Sequence, residues 1–216
     1  DLTPTITGTA TVGAGETLTV VVSGATYTVT PAGGGAWSLD LGTATPTSGS
    51  LTALADGNTY NVTATVTDTA GNATSDSTSS ELVIDTTAPG APSVVSISTD
   101  TGVTDGVTSD NTLTFTGTAE ANSTVEVFID GSSIGTVTAD GSGDWTYDHT
   151  GTILADATYA VTATSTDAAG NTSSASSAFD VTVDTTAPGA PTVVTQTTSD
   201  LTPTITGTAT VGAGET

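Results

Sequence analysis

Apolar and polar residues alternate along most of the chain with a period of two, which is the pattern of half-buried β-strands. In the segment TYNVTATVTDTAGN, from Thr59 to Asn72, a tyrosine, two valines and Ala64 fall on one face and threonines on the other. In the second half of the chain the pattern predicts seven short strands, A to G, at residues 92–98, 113–119, 124–129, 134–139, 145–150, 159–166 and 178–184. Turn residues separate them, so we predict an all-β chain built from two-sheet sandwiches.

The chain repeats itself at two spacings. The segment Asp1–Thr17 recurs without a change at Asp200–Thr216, a period of 199 residues. Inside that period, VIDTTAPGAPSVV around Asp85 returns as TVDTTAPGAPTVV around Asp184, after 99 residues. A spacing near 99 residues is longer than that of a solenoid repeat, and it fits an array of domains that each fold alone.

Two further motifs place the domains. The sequences LADGNTY and LADATY precede strand F in the two halves, where immunoglobulin-like sandwiches carry a tyrosine corner. We therefore predict seven-stranded immunoglobulin-like sandwiches joined end to end. One occupies residues 1–87 and lacks its A strand, because DLTPTIT corresponds to strand B; a second occupies residues 88–186; residues 187–216 give strands A and B of a third. The linker DTTAPGAP is too short and proline-restricted for a free coil, which favours a monomeric rod of neighbouring repeats.

The chain resembles a known family on the motifs GTAEANSTVEVFIDG, TADGSGDW, ATYAVTATSTDAAGN and VDTTAPGAP. These are similar to the bacterial immunoglobulin-like repeats of giant, type I-secreted RTX adhesins and biofilm-associated proteins. The resemblance implies secretion, an extracellular location on the bacterial cell surface, and a role in cell adhesion as an extender that holds a distal binding domain away from the cell.

Charge changes the picture of possible partners. The chain has no Lys or Arg against 23 Asp and Glu, so its formal net charge is −23. No cationic side chain is present to neutralise phosphate, which excludes nucleic acid and anionic membrane surfaces as partners. No apolar run is long enough to span a bilayer, so we expect no membrane insertion by this segment. Cys is absent, so disulfides and thiolate metal sites are excluded.

Strand order leads to a calcium hypothesis. If strand A runs away from the preceding domain, the loops between B and C, D and E, and F and G return to the pole that faces that domain. This predicts a Ca²⁺ site formed by Asp85 of the linker, Glu120 of the BC loop, and Asp167 and Asn171 of the FG loop. Hard oxygen ligands suit Ca²⁺ better than Zn²⁺. The alternative is that these residues only form turns.

Further acidic residues give less certain sites. Equivalent junctions would use Asp68 and Asn72 of the first domain and Asp184 of the next linker. In the first domain Thr11 aligns with Glu120, and Glu16, in a BC loop two residues longer, is the candidate substitute.

A weak third candidate lies in the AB loop of the second domain, STDTGVTDGVTSDN, through Asp100, Asp105 and Asp110. Its spacing is not that of an EF-hand, and a solvated loop explains it equally well. Asp140 and Asp144 are interpreted as a hairpin turn.

Enzymatic readings are unsupported. His149 is the only histidine, and a surface or half-buried strand residue is a simpler interpretation than a general base. We therefore predict no enzyme activity and an extender stiffened by Ca²⁺. Two alternatives stay open, a glycan- or ligand-binding module using Trp37 and Trp145, and a subunit of a self-assembling surface filament. Burial of both tryptophans would count against the glycan alternative.

Overall fold

The computed structural model describes residues 1–76, 78–101 and 105–210, and divides the chain into two compact units. Unit 1 comprises Asp1–Gly90 together with Thr166–Ser173, and unit 2 comprises Ala91–Ser165 and Ser174–Thr216. Every regular element among the described residues is a β-strand, which confirms the all-β prediction. None of the described residues forms a helix long and apolar enough to cross a membrane.

Unit 1 is a two-layered sandwich whose strands follow the predicted alternation. Its strands among the described residues are β1 (Thr5–Thr9), β2 (Thr17–Val22), β3 (Ala25–Val29), β4 (Ala36–Asp40), β5 (Ser48–Gly49), β6 (Thr59–Tyr60), β7 (Val62–Thr67), β8 (Ala73–Ser75) and β9 (Leu82–Val83). β1 pairs antiparallel with β4, a larger sheet has the order β5-β3-β2-β7-β8, and β6 pairs with β9.

Unit 2 also has a five-stranded sheet, and its smaller sheet has three strands where the corresponding pair of unit 1 has two. Its strands among the described residues are β10 (Ser93–Ile97), β11 (Val107–Thr108), β12 (Thr114–Thr118), β13 (Thr124–Ile129), β14 (Ser132–Thr138), β15 (Asp144–Asp148), β16 (Ala157–Thr166), β17 (Phe179–Val183), β18 (Thr192–Val193) and β19 (Gly207–Thr208). One sheet has the order β10-β12-β15 and the other β11-β17-β16-β13-β14, while β18 and β19 form a separate pair.

Each unit has its own apolar core. In unit 1, Leu18, Val20 and Tyr27 are almost fully buried, and in unit 2 Phe115 and Val127 are fully buried. These residues occupy alternate positions of their strands, so the period-two pattern selects the inner face. Thr and Ser fill most of the outer positions, where they are good strand formers without charge.

The tyrosine at the start of each predicted F strand bonds to the loop before it. The Tyr60 hydroxyl accepts a hydrogen bond from the Ala55 amide at 2.8 Å, and the Tyr159 hydroxyl donates to the Ala155 carbonyl at 3.0 Å. Both contacts match the tyrosine corner expected from LADGNTY and LADATY.

Three details of the strands differ from the sequence-based expectation. The predicted D strand is β14, and it pairs with β13 (strand C) in the sheet that holds F and G. The last strand of unit 1 is divided into β8 and β9, which pair with β7 and β6. The AB loop of unit 2 contains the short β11, which runs parallel to β17.

Candidate functional site: linker clamps and the loops beside them

The linker motif DTTAP is held to its own sandwich by an aspartate that was not predicted as a site residue from the sequence. In unit 1, Asp56 accepts hydrogen bonds from the Thr86 amide at 2.5 Å and the Thr87 hydroxyl at 2.6 Å. In unit 2, Asp156 accepts from the Thr185 amide at 3.1 Å and from its hydroxyl at 2.7 Å. Asp156 also accepts from the Thr186 hydroxyl at 2.9 Å. We call this arrangement the linker clamp.

The clamp is the same device in both repeats, and the signal for it is present in the sequence. The motif LAD stands before strand F in each half, and TT follows each G strand. From the sequence alone, LAD was interpreted only as part of the tyrosine corner. In the structure the aspartate of this motif instead accepts hydrogen bonds from the threonines of the linker.

Hydrogen bonding stabilises the charged form of both clamp carboxylates. Bonds from the Thr87 hydroxyl and the Thr86 amide lower the pKa of Asp56. Bonds from the hydroxyl and amide of Thr185 lower the pKa of Asp156 in the same way. The clamp is therefore formed in full only when these carboxylates are ionised.

The aspartate that begins each linker bonds within its own turn. Asp85 Oδ1 accepts from the Thr87 amide at 3.0 Å, and Asp184 Oδ1 accepts from the Thr186 amide at 2.9 Å. The turn uses only Oδ1 of each aspartate. The Oδ2 atoms of Asp85 and Asp184 are not needed for the turn and could serve as ligands for a cation.

The two FG loops are closed by an aspartate and an asparagine. Asp167 Oδ1 accepts from the amides of Ala169 and Asn171 at 2.9 and 2.8 Å, and its Oδ2 accepts from Asn171 Nδ2 at 2.8 Å. Asp68 and Asn72 make the corresponding bonds in the first domain. The asparagine side chain is the main cause that lowers the pKa of each aspartate. These residues form turns, as the alternative interpretation expected.

Unit 1 brings together three of the four residues proposed to bind calcium. Asn171 Nδ2 also donates to the backbone carbonyl of Asp85 at 3.2 Å, and Asn171 bonds Asp167 at the same time. Asp85, Asp167 and Asn171 all belong to unit 1, whereas Glu120 belongs to unit 2, where it is exposed and its carbonyl accepts the Ser123 hydroxyl at 2.7 Å. The oxygens of this group are hard donors, which fits Ca²⁺ chemically. The complete ligand set stays a prediction.

The other acidic candidates each bond close to themselves in sequence. Asp100 accepts from the Gly106 amide at 3.0 Å, Asp105 from the Val107 amide at 3.1 Å, and Asp110 from the Thr112 amide at 2.9 Å. Residues 102–104 of this loop lie outside the described part of the chain.

Two further loop carboxylates close their own turns. Glu16 accepts from the Gly13 amide at 2.6 Å, and Asp140 accepts from the amides of Ser142 and Asp144 at 2.8 and 3.0 Å. Across the described residues, no group of three or more His, Cys, Asp or Glu side chains is arranged to hold a metal ion.

The aromatic candidates lie inside the sandwiches. Trp37 is 7% exposed and Trp145 is 2% exposed, so neither presents a ring face to a sugar. His149 is half-buried beside Phe115 and Tyr147, with ring centroids 6.0 and 6.2 Å away. Burial of both tryptophans counts against the glycan alternative.

Two consecutive sandwiches with these sheet orders define a tandem array of immunoglobulin-like domains. The chain belongs to the bacterial Ig-like domain family, which matches residues 1–86 and 88–185. This confirms the resemblance and the fold class. The family is not a family of enzymes. No curated protein matches the chain significantly.

Solved structures with partial similarity include adhesin domains. A 1.5-MDa bacterial ice-binding adhesin, studied for host cell surface retention, is 27% identical with a TM-score of 0.34, over 89% of this chain and 61% of that chain. A biofilm-associated protein domain is 20% identical with a TM-score of 0.34, over 85% of this chain and 28% of that one. Fibronectin(III)-like modules of Clostridium thermocellum CbhA are 12% identical with a TM-score of 0.43, over 84% and 86%.

Proposed function

We propose that this chain is an extender segment of a large adhesin exposed on a bacterial cell surface, where tandem sandwiches hold a binding domain away from the cell. The observation that carries the proposal is the recurrence of Asp1–Thr17 at Asp200–Thr216. The recurrence of these seventeen residues marks a period of 199 residues that contains two sandwiches, and repetition of such a period makes length a function of copy number.

The linker clamp supports this mechanical role. Asp56 and Asp156 hold the threonines that leave each sandwich, so the first residues of each linker are ordered by their own domain. The prolines that follow restrict the backbone further. A chain built this way resists bending at its linkers more than a free coil does.

Copy number gives the test of the extender proposal. Arrays of one, two and four 199-residue periods are compared by small-angle X-ray scattering. An extender predicts a maximum dimension that grows in proportion to copy number. Growth with about the square root of copy number, as for a flexible chain, or a constant compact profile contradicts the proposal.

We further propose that Ca²⁺ binds beside the linker through Asp85, Glu120, Asp167 and Asn171, with Asp184 serving the following linker and Asp68 and Asn72 a less complete site. Support comes from the bond between Asn171 and the Asp85 carbonyl, which joins two of these residues directly. A net charge of −23 with no Lys or Arg leaves cations from solution as the means of neutralising the carboxylates.

Melting experiments separate bound calcium from general screening of charge. Ca²⁺ is compared with chelator, and with Mg²⁺ and Na⁺ at matched ionic strength. At a free concentration of about 100 times Kd, a site specific to the folded state stabilises it by about 2.7 kcal/mol. Asp167→Asn keeps an oxygen for the loop amides but removes the charge, so it should lose the calcium response, while the control Asp144→Asn should keep it. Identical melting in Ca²⁺ and chelator contradicts the site.

A further inference from the structure

Several aspartates of the chain are followed directly by glycine, which is a chemically reactive sequence. The glycine nitrogen can attack Cγ of the aspartate and form a cyclic succinimide, because glycine has no Cβ to hinder the close approach of its backbone. Folding decides which pairs react, since the attacking amide and the carboxyl group must both leave their hydrogen bonds. The pairs are Asp56–Gly57, Asp105–Gly106, Asp130–Gly131 and Asp140–Gly141.

Hydrogen bonds of the glycine amide protect two of these pairs. The Gly57 amide donates to the Ile84 carbonyl at 2.8 Å, and attack would first have to break this bond. The Gly106 amide donates to Asp100 Oδ2 at 3.0 Å, and Gly106 is buried. A Cβ on Gly106 would lie 2.6 Å from the Asp180 carbonyl oxygen, so the backbone has little room to rearrange there.

A bond of the aspartate side chain restrains the third pair. Asp130 lies in the turn between β13 and β14, and its Oδ1 accepts from the Ala160 amide at 2.9 Å. The Asp130 amide donates back to the Ala160 carbonyl at 2.9 Å. These bonds hold the carboxyl group to strand β16, and attack on that group would detach the turn from the strand.

The fourth pair lies in the loop between β14 and β15. Asp140 and Gly141 are both exposed, and the Gly141 amide has no hydrogen-bond partner among the described residues. A Cβ on Gly141 would meet no atom within 4 Å. Asp140 Oδ1 accepts from two amides of its own loop, those of Ser142 and Asp144. The carboxyl group therefore stays within the loop that carries the attacking nitrogen.

The backbone of this loop does not depend on the Asp140 carboxylate. The loop of unit 1 between β3 and β4 has Ala32 at the position of Asp140. Its Gly35 amide donates to the Ala32 carbonyl at 2.9 Å, as the Gly143 amide donates to the Asp140 carbonyl at 3.0 Å. The bonds of Asp140 Oδ1 can therefore be lost during attack while the turn is kept.

We propose that Asp140–Gly141 is a self-modification site at which aspartate converts to isoaspartate. The Gly141 nitrogen bonds to Cγ of the neutral Asp140 carboxyl group, and the amide proton and the carboxyl OH leave as one water. Water then adds to one of the two ring carbonyls and opens the ring. Opening at Cγ restores aspartate, and opening at the main-chain carbonyl carbon gives isoaspartate, in which the backbone runs through Cγ.

The reaction needs nothing beyond the chain and solvent. One water leaves when the ring closes and one returns when it opens, so no co-reactant is consumed and the mass of the chain is unchanged. The proposal does not depend on the extender or calcium proposals.

Incubation of the full chain in heavy-oxygen water tests the proposal, because each ring that opens takes one oxygen from the solvent. The chain has no Lys or Arg, so a protease of other specificity cuts it before peptide mass spectrometry locates the label. Asp140 should gain label faster than the other three aspartates, by roughly a factor of 2 to 10 for each protecting hydrogen bond. An Asp-specific endoprotease should lose its cut before Asp140 as isoaspartate accumulates.

Three variants in this loop separate the chemistry from the fold. Asp140→Ala removes the attacked group and gives the loop the alanine that unit 1 has as Ala32, so label at this loop should be lost. Gly141→Ala meets no atom within 4 Å, but its Cβ hinders the attacking nitrogen, so labelling should slow. Asp140→Asn forms the same ring with loss of ammonia and should react faster than the parent.

The urea-unfolded chain is the reference, because its protecting hydrogen bonds are absent. Dividing the unfolded rate by the folded rate at each pair gives the protection due to structure, and Asp140 should have the least. Equal protection at all four pairs overturns the proposal, as does lower protection at any other pair. Label that appears at Asp140 only after unfolding also overturns it, because the folded loop would then block attack.

Discussion

Asp56 accepts the hydroxyl of Thr87 at 2.6 Å and so joins the start of strand F to the residues that leave the domain. Asp156 and Thr186 repeat the contact in unit 2. We predict that Asp156→Ala increases amide exchange at Thr185 by roughly a factor of 2 to 10, the range for loss of one hydrogen bond. Asp144→Ala removes an exposed charge of the same unit and should leave Thr185 unchanged. Equal exchange in all three proteins would show that the clamp does not order the linker.

Protonation should open the clamp. The folded-state pKa of Asp156 is lowered by its bonds to Thr185, so its contribution to stability is present above the unfolded pKa of about 3.9 and is lost as pH falls through the folded value. The stability difference between the protein and Asp156→Asn should therefore be full near about pH 6 and vanish toward about pH 2. Chemical denaturation across this range measures it. A difference that grows as pH falls would have the wrong sign.

The positions of the strands were predicted well because the alternation of apolar and polar residues depends only on neighbouring positions in the sequence. Strand C was predicted at residues 124–129, and β13 is Thr124–Ile129. Pairing partners are set by tertiary contacts, which alternation does not report, so β14 was labelled D although it pairs with β13. β11 was missed because a two-residue strand in a polar loop has no period.

The candidate site was predicted less completely for a similar reason. Spacing in the sequence identified Asp167 and Asn171 as a loop pair, and the structure shows them bonded. The contact of Asn171 with the Asp85 carbonyl and the clamp through Asp56 join segments distant in sequence. Only the folded arrangement reveals such bonds, since Asp and Asn in a turn look the same with or without a distant partner.

The close approach at Gly117 gives a prediction about stability. Gly117→Ala places a Cβ against the Ser93 carbonyl and the Trp145 ring, so strand β10 or the indole must shift. We expect a loss of about 1–3 kcal/mol, the usual cost of overpacking. Gly141→Ala meets no atom within 4 Å and should change stability by less than about 0.5 kcal/mol. Thermal or urea unfolding of the three proteins gives the comparison, and equal stabilities would contradict the geometry.

The two FG loops allow a matched test of the contact between Asn171 and Asp85. Asn72 and Asn171 both donate to the aspartate of their own loop at 2.8 Å, and among the described residues Asn171 alone of the two also donates to a linker carbonyl, at 3.2 Å. Asn72→Ala therefore removes the loop bond alone, and Asn171→Ala removes the loop bond and the linker bond. A hydrogen bond contributes about 0.5–1.5 kcal/mol net. Asn171→Ala should therefore lower the opening free energy of residues 166–173 by about 0.5–1.5 kcal/mol more than Asn72→Ala lowers the opening free energy of residues 67–74. Native-state hydrogen exchange measures both loops in each variant, so the unchanged loop is an internal reference for any change in the global stability of the chain. If both variants lower local protection equally, the Asp85 contact does not hold this loop, and the calcium proposal loses its structural support.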